Sequence, residues 1–141
     1  MRRAFTLIEL CFVLAILALL MGATVPAYDH LHRRAKAAEA DSMLQAIAHA
    51  QLQLFRDRGE YLACPPAGEV PRGLVPWSDP QGCWKAMGIR VGGAVRYRYA
   101  VELLDGSFVA TAEGDLDGDG QPSLYRLDGR SLAVSVEGAL E

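Results

Sequence analysis

The sequence predicts an α+β protein in which one long N-terminal helix packs on a four-stranded antiparallel sheet. Two features predict the helix: an apolar run from Phe5 to Ala27, and a stretch from Tyr28 to Arg58 that contains no helix breaker. A third feature predicts the sheet, because later segments alternate apolar and polar residues between Asp-Gly turn signals. The length of 141 residues is enough for one domain and an anchor.

The first half of the predicted helix is long enough to cross a bilayer. From Phe5 to Ala27 a helix measures about 34 Å at ~1.5 Å per residue, against a hydrocarbon core of roughly 30 Å. Glu9 is the only charged residue in this run. A carboxylate there costs on the order of a few kcal/mol, so Glu9 indicates a partner that it faces. Pro26 lacks an N–H group and predicts a bend or a weak turn near Gly22.

The N-terminal residues resemble those of a known family. The sequence Met1–Ala4 followed by Phe5–Glu9 is similar to the short leader and the first mature residues of type IV prepilins and pseudopilins. The resemblance is specific up to about Phe55. It implies a class III leader that prepilin peptidase cleaves between Ala4 and Phe5, followed by N-methylation of Phe5. Ala4 and Ala18 stand where this family commonly has glycine.

The same resemblance implies roles for two further residues and a division of the chain. Glu9 takes the place of the family's assembly glutamate, and Pro26 takes the place of its helix proline. Residues 1–4 form the leader, residues 5–27 the transmembrane and assembly helix, and residues 28–141 a periplasmic or extracellular domain that includes the amphipathic helix 28–58. The implied partners are other pilins, prepilin peptidase and an assembly platform in the bacterial inner membrane, where the chain resides with a cytoplasmic N-terminus before it enters a filament.

Other interpretations of the apolar run fit less well. A secretory signal peptide has an apolar core of about 7–15 residues, which is shorter than this run. A plain membrane anchor explains the length and leaves Glu9 unexplained. Arg2 and Arg3 favour a cytoplasmic N-terminus, whereas the basic cluster at residues 33–36 favours the opposite orientation, so the family resemblance decides the orientation.

The second half of the predicted helix is amphipathic and ends before Gly59, a typical C-terminal stop. Its apolar residues recur at helical spacing: Ala40, Met43, Leu44, Ile47, Leu54 and Phe55. Polar residues are expected on the opposite face: Arg34, Glu39, Asp41, Gln45 and Gln53. The residue Gln51 interrupts the apolar stripe. One face can therefore cover a sheet while the other contacts water or neighbouring subunits.

A segment rich in proline and glycine, residues 60–94, links the helix to the sheet and excludes long regular elements. Cys64 and Cys83 flank most of it. In an exported domain they are expected to form a disulfide, and the alternative is two free thiols. Cys11 is expected to be a small buried apolar residue. The tryptophans Trp77 and Trp84 are expected to pack over the sheet or the helix, and ligand binding is the alternative.

Four strands are predicted after this segment. Residues 95–103 alternate and lead into the tight-turn signal Asp105-Gly106, with residues 107–112 as the partner strand. Residues 123–127 and 132–136 form a second pair around Asp128-Gly129. This meander gives the antiparallel sheet of the predicted fold.

An acidic loop between the predicted strands is the candidate metal site. Asp115, Asp117 and Asp119 alternate with other residues, as in the first half of an EF-hand loop. Arg126 stands where the bidentate glutamate would be, so Gln121 and Ser123 are the candidates to complete a calcium site of modest affinity. Some members of the resembled family carry similar calcium loops. The alternative is a solvated turn.

Composition and motifs argue against catalysis and nucleic-acid binding. The formal net charge is −3, whereas nonspecific nucleic-acid binding needs clustered cations. The histidines lie on the predicted helix, and no nucleophile with a nearby base is recognisable. The sequence therefore predicts a non-enzymatic subunit, that is, a pilin, minor pilin or pseudopilin of a type IV pilus or of a secretion or DNA-uptake filament. The alternatives are an anchored calcium-binding module that does not polymerise and an anchored envelope enzyme.

Overall fold

The computed structural model describes residues 6–138, without the side chains of residues 23–34. The helix α1 covers Leu7–Arg58, and it is followed by short elements and a sheet. The remaining elements in chain order are β1 (Val75–Pro76), α2 (Cys83–Ala86), β2 (Ala94–Val95), β3 (Arg98–Leu104), β4 (Ser107–Gly114), β5 (Ser123–Asp128) and β6 (Val134–Glu137). The chain divides into two compact units, Met1–Ala35 and Lys36–Glu141, which are described separately.

In the second unit, one face of α1 is buried at helical spacing. The fully or nearly buried positions are Ala40, Leu44, Ile47, Ala48, Gln51 and Leu54. This pattern confirms most of the predicted stripe, but Phe55 is 43% exposed and stacks on Tyr61 with ring centroids 4.6 Å apart. The helix ends where the sequence predicts, because Gly59 adopts a φ of 77° and donates its N–H to the Phe55 carbonyl.

The four-stranded antiparallel sheet is confirmed, and its strands follow each other in the order β3-β4-β5-β6. Leu104 pairs with Ser107 across the predicted Asp105-Gly106 turn. Both turn residues have positive φ, 47° and 74°, as a type I′ hairpin requires. Tyr99 and Val101 of β3, together with Tyr97 just before this strand, pack into one core with the buried residues of α1.

The first predicted strand differs from the observed one at both ends. Ala94 and Val95 form β2 and pair with β1 in the proline-rich segment, and β3 begins only at Arg98. The break has a physical cause: the backbone N–H of Arg96 donates to Glu39 Oε1 at 2.7 Å and is not available to a neighbouring strand. Leu103, an apolar residue at the end of the predicted alternation, is 50% exposed.

Glu39 corrects a second prediction, since the sequence places it on the solvent-facing side of α1. Its carboxylate is half-buried, and Oε2 also contacts the Arg96 guanidinium at 2.8 Å. A carboxylate with a charged partner and a backbone donor can lie at a helix–sheet boundary. The pair therefore fixes the point at which β2 gives way to β3.

The second predicted hairpin also has a different turn. The connection between β5 and β6 is a longer loop, in which Asp128 Oδ1 accepts hydrogen bonds from the N–H groups of Arg130 and Ser131. Gly129 donates its N–H to the Phe108 carbonyl, and a Cβ at Gly129 would lie 2.6 Å from that oxygen. Gly129 is therefore required for the close approach of two backbones.

Candidate functional site

The predicted assembly segment is described in part. Ala4 and Phe5 lie outside the described residues, and Pro26 lies within α1 without a described side chain. Thr6 precedes α1, and its Oγ1 accepts a hydrogen bond from the Glu9 backbone N–H at 3.4 Å. Thr6 thus caps the helix. Glu9 lies in the first turn, where the helix dipole stabilises a carboxylate.

The capping role is a feature that the reasoning from sequence missed. A threonine followed three residues later by a glutamate is the capping-box pattern, and Thr6 and Glu9 have this spacing. The pattern was therefore present in the sequence as a signal. The observed hydrogen bond uses the backbone N–H of Glu9, so Glu9 helps to close the first turn through its main chain, and its carboxylate is left for any role toward a neighbouring subunit.

The first described turns of α1 carry an apolar surface. Large apolar side chains here are mostly exposed: Leu7, Ile8, Leu10, Phe12, Val13, Leu14, Ile16, Leu17, Leu19, Leu20 and Met21. Cys11, predicted to be buried, is a free and exposed cysteine. Each large apolar side chain gains about 1.5–3 kcal/mol when it is fully buried. This surface therefore favours transfer into an apolar environment.

The predicted membrane span is not fully covered by the described residues. It begins at Phe5, which lies outside them, and it includes the side chains of residues 23–27, which are likewise not described. Within the described part of the chain, no helical stretch combines the length and the apolarity of a membrane-crossing segment.

The predicted disulfide between Cys64 and Cys83 is present, with the two Cα atoms 5.7 Å apart. Cys64 is fully buried, and its backbone exchanges two hydrogen bonds with Val101 of β3, at 2.9 and 2.7 Å. Cys83 begins the short helix α2. The bridge thus joins the end of the proline-rich segment at Cys83 to Cys64, and the backbone of Cys64 pairs with the edge strand β3.

The acidic loop connects β4 to β5, as the sequence predicts. Single carboxylate oxygens of Asp115, Asp117 and Asp119 all lie within 4.8 Å of one another. Asp115 is 4% exposed, whereas the other two are exposed. The fold therefore places three carboxylates together, one of them inside the protein.

Backbone donors hold these carboxylates in place. Asp115 accepts from the N–H groups of Gly118 at 2.9 Å and Gly120 at 3.2 Å. Asp117 accepts from the N–H of Asp119 at 3.3 Å, and this hydrogen bond lowers the pKa of the Asp117 carboxyl. The loop is therefore ordered by its own amide groups.

The two remaining predicted ligands lie at the end of the same loop. The backbone N–H of Gln121 donates to Asp119 Oδ1 at 2.7 Å, so this residue offers the acidic cluster a donor. Ser123 begins β5 and is half-buried. Calcium binding by this set of five residues stays a prediction.

A basic residue that sequence reasoning missed lies against the acidic loop. Arg72 Nε is 3.3 Å from Asp115 Oδ2, and the preceding Pro71 carbonyl accepts a hydrogen bond from the Asp115 N–H at 2.9 Å. No local sequence signal connects these residues, because they are brought together only when the proline-rich segment folds against the end of β4.

Next to this contact lies a cleft of about 950 Å³ whose wall includes Trp77, Trp84 and Tyr99. Trp84 is 2% exposed and meets Trp77 edge to face, with centroids 5.5 Å apart. Burial raises the pKa of the Tyr99 hydroxyl, which has no hydrogen-bond partner among the described residues. The tryptophans therefore pack over the sheet, as predicted, and the alternative of ligand binding stays untested.

The arrangement as a whole defines a class of protein. A long N-terminal helix, whose second half packs on a four-stranded antiparallel sheet, is the α+β plan of a type IV pilin-like subunit.

Comparison with known proteins points to the same family. A fimbrial protein of Dichelobacter nodosus is 32% identical over 120 residues, which is 84% of this chain and 63% of that protein. A fimbrial protein of Neisseria meningitidis is 27% identical over 111 residues, covering 79% of this chain and 55% of that protein. The type IV major pilin protein PilA of Myxococcus xanthus is 37% identical over 59 residues, 42% of this chain and 27% of that protein.

These similarities confirm the resemblance to the type IV pilin family, at modest sequence identity. The chain spans less than two thirds of the length of these three relatives. No protein-family profile matches the chain, and no solved structure matches it either.

Proposed function

We propose that this chain is a structural, non-enzymatic subunit of a type IV pilus or of a related secretion or DNA-uptake filament, as a pilin, minor pilin or pseudopilin. The observation that carries the proposal is the exposed apolar surface of Leu7–Met21, which begins within the motif that resembles the start of mature pilins. The relatives named fimbrial protein and major pilin support the same assignment.

In this proposal the apolar surface is covered in two successive environments. The precursor lies in the bacterial inner membrane with a cytoplasmic N-terminus, prepilin peptidase removes residues 1–4, and an assembly platform extracts the mature chain into a filament. The helices then bundle as the apolar core of a filament in the periplasm or on the cell surface. Burial of this apolar surface stabilises both the membrane-inserted chain and the filament, because lipid and neighbouring helices both exclude water.

Glu9 is proposed to select the correct neighbour during assembly. A buried carboxylate is stable only when a cation or donors compensate for its lost hydration. The amino group of Phe5 in an adjacent subunit is the cation that the family resemblance supplies. Because Glu9 also belongs to the capping-box pattern with Thr6, a test must separate its charge from its effect on the helix terminus.

The experiment compares Glu9→Gln with Thr6→Ala in the native host. Glutamine retains the side-chain shape and the capping-box pattern but removes the charge. The ratio of sheared-filament to membrane-retained protein should fall about a hundredfold or more for Glu9→Gln, because an unpaired buried charge costs ~3–5 kcal/mol. The control Thr6→Ala should change this ratio by about fivefold or less, since loss of a cap costs ~1 kcal/mol.

The same samples show at which residue the mature chain begins. Mass analysis should find a chain that begins at methylated Phe5 in the wild type and in Glu9→Gln, since the bond after Ala4 is unchanged. A wild-type filament ratio for Glu9→Gln would disprove charge pairing. An intact Met1 together with an empty filament fraction in the wild type would contradict the filament function and favour an anchored module that does not polymerise.

A further inference from the structure

One carboxylate of the acidic loop is buried and is therefore not solvated by water. Asp115 is 4% exposed, whereas Asp117 and Asp119 face solvent. Removing a carboxylate from water costs several kcal/mol. Only hydrogen-bond donors and an opposite charge offset this cost. The Gly118 and Gly120 amides supply two donors, but they carry no net charge.

The positive charge at this position comes from the chain itself. Among the described residues, Arg72 is the cation in an ion pair with Asp115, with Nε 3.3 Å from Oδ2. Its side chain is 73% exposed, so the guanidinium reaches the buried carboxylate from the surface. The hydrogen bond from the Asp115 N–H to the Pro71 carbonyl holds the two backbones in this register.

The donor set fits a metal ion poorly while this pair is formed. Calcium takes six to eight oxygen ligands and gains most from charged ones. Both oxygens of Asp115 already accept backbone amides, and one of them also faces Arg72. Asp117 and Asp119 accept amides as well, and Gln121 directs its N–H toward the cluster.

We propose that the guanidinium of Arg72, and not a metal ion, is the cation that neutralises Asp115 and closes the acidic loop. Calcium then binds this loop only in competition with Arg72. The assignment goes beyond the filament function and does not depend on it, because it concerns how the second unit stabilises its own β4–β5 connection.

The proline-rich segment positions Arg72 at the acidic loop. The Cys64–Cys83 bridge anchors this segment, and Arg98 Nη1 donates to the Gly68 carbonyl at 2.9 Å. These contacts hold the segment near the end of β4, and Arg72 therefore lies over Asp115. No local sequence signal predicts this contact. The bridge and the acidic loop are thus two parts of one tertiary arrangement.

The test measures thermal unfolding of the full chain in mild detergent, first with chelator. Arg72→Gln should lower the Tm by about 2–5 °C, the shift expected for losing a pair of up to ~1 kcal/mol in a unit of this size. Arg90→Gln is the matched control, because Arg90 is exposed and has no ion pair among the described residues. Its Tm should change by about 1 °C or less.

A double-mutant comparison assigns the effect to the pair. On an Asp115→Asn background, Arg72→Gln should cause no further loss of Tm, because the charge that it compensates is gone. Equal Tm values for Arg72→Gln and Arg90→Gln in chelator would overturn the proposal. An undiminished effect of Arg72→Gln on the Asp115→Asn background would overturn it too.

Calcium titration of the same proteins gives the second measurement. The apparent Kd for calcium should be about fivefold lower in Arg72→Gln than in wild type, because calcium no longer has to displace the Arg72–Asp115 pair, and two unit charges about 4 Å apart attract each other by ~1 kcal/mol in a water-like medium. Absence of calcium binding in both proteins would overturn the competition, because the loop would then fail to hold the ion even without Arg72. Equal and tight binding in both would overturn the competition and favour a metal site.

Discussion

Gln51 is the residue whose replacement tests the packing of the second unit most directly. It is fully buried on the apolar face of α1. Its Nε2 donates to the Leu62 carbonyl, and its Oε1 accepts the Leu62 N–H at 3.0 Å. This side chain therefore satisfies both backbone groups of one residue in the segment that leaves the helix.

The substitution Gln51→Met keeps the length of the side chain and removes both hydrogen bonds. Each bond contributes about 1 kcal/mol net, and a buried group left without a partner costs about 1–3 kcal/mol. Leu62 is half-buried, so water replaces part of the loss. We therefore expect the free energy of unfolding to fall by about 2–3 kcal/mol, or the Tm by about 10 °C.

The assay is chemical unfolding of the full chain in detergent, followed by the fluorescence of Trp77 and Trp84. Gln53→Met is the matched control, because Gln53 lies on the exposed face of the same helix. Hydrogen exchange should show that the Leu62 amide loses its protection in Gln51→Met alone. If both variants unfold at the same denaturant concentration and the Leu62 amide stays protected, the assignment of stability to these two hydrogen bonds is wrong.

Two further changes test other contacts of the same unit. Replacing Cys64 and Cys83 together by serine should lower the free energy of unfolding by roughly 3 kcal/mol, measured by denaturant titration against wild type treated with reductant, which should unfold at the same denaturant concentration. Gly129→Ala should lower the Tm, because the added Cβ would lie 2.6 Å from a β4 carbonyl oxygen, and the expected cost is about 1–3 kcal/mol. Gly92→Ala is the control, since its Cβ would meet no atom within 4 Å and its Tm should not fall.

Local sequence patterns predicted the elements whose cause is itself local. The end of α1 at Gly59 and the turn at Asp105-Gly106 follow from the backbone freedom of glycine next to periodic segments. The expected export of the proline-rich segment indicated a disulfide between its two cysteines as one of two alternatives, and the structure contains it. The capping-box spacing of Thr6 and Glu9 is an equally local signal, and it marks the observed start of α1.

Predictions failed where a polar side chain from a distant part of the chain replaced a regular backbone partner. The sequence alternates without interruption through Val95 and Arg96, yet Glu39 accepts the Arg96 N–H and ends the ladder there. Gln51 looked like an interruption of the apolar face, whereas it is a buried residue bound to Leu62. Periodicity reports which side chains are apolar, and it cannot report which buried polar group finds a partner.

The sequence by itself determined the α+β class, the long helix, the hairpin after β3, the proximity of three aspartates in one loop and the resemblance to type IV pilins. Each of these depends on neighbouring residues or on a contiguous motif. Only the tertiary structure decided that Arg72 lies at Asp115, that Glu39 ends β2, and that Gln51 binds Leu62. These contacts join residues far apart in the chain, and their stability comes from desolvation and pairing that exist only after the segments have packed.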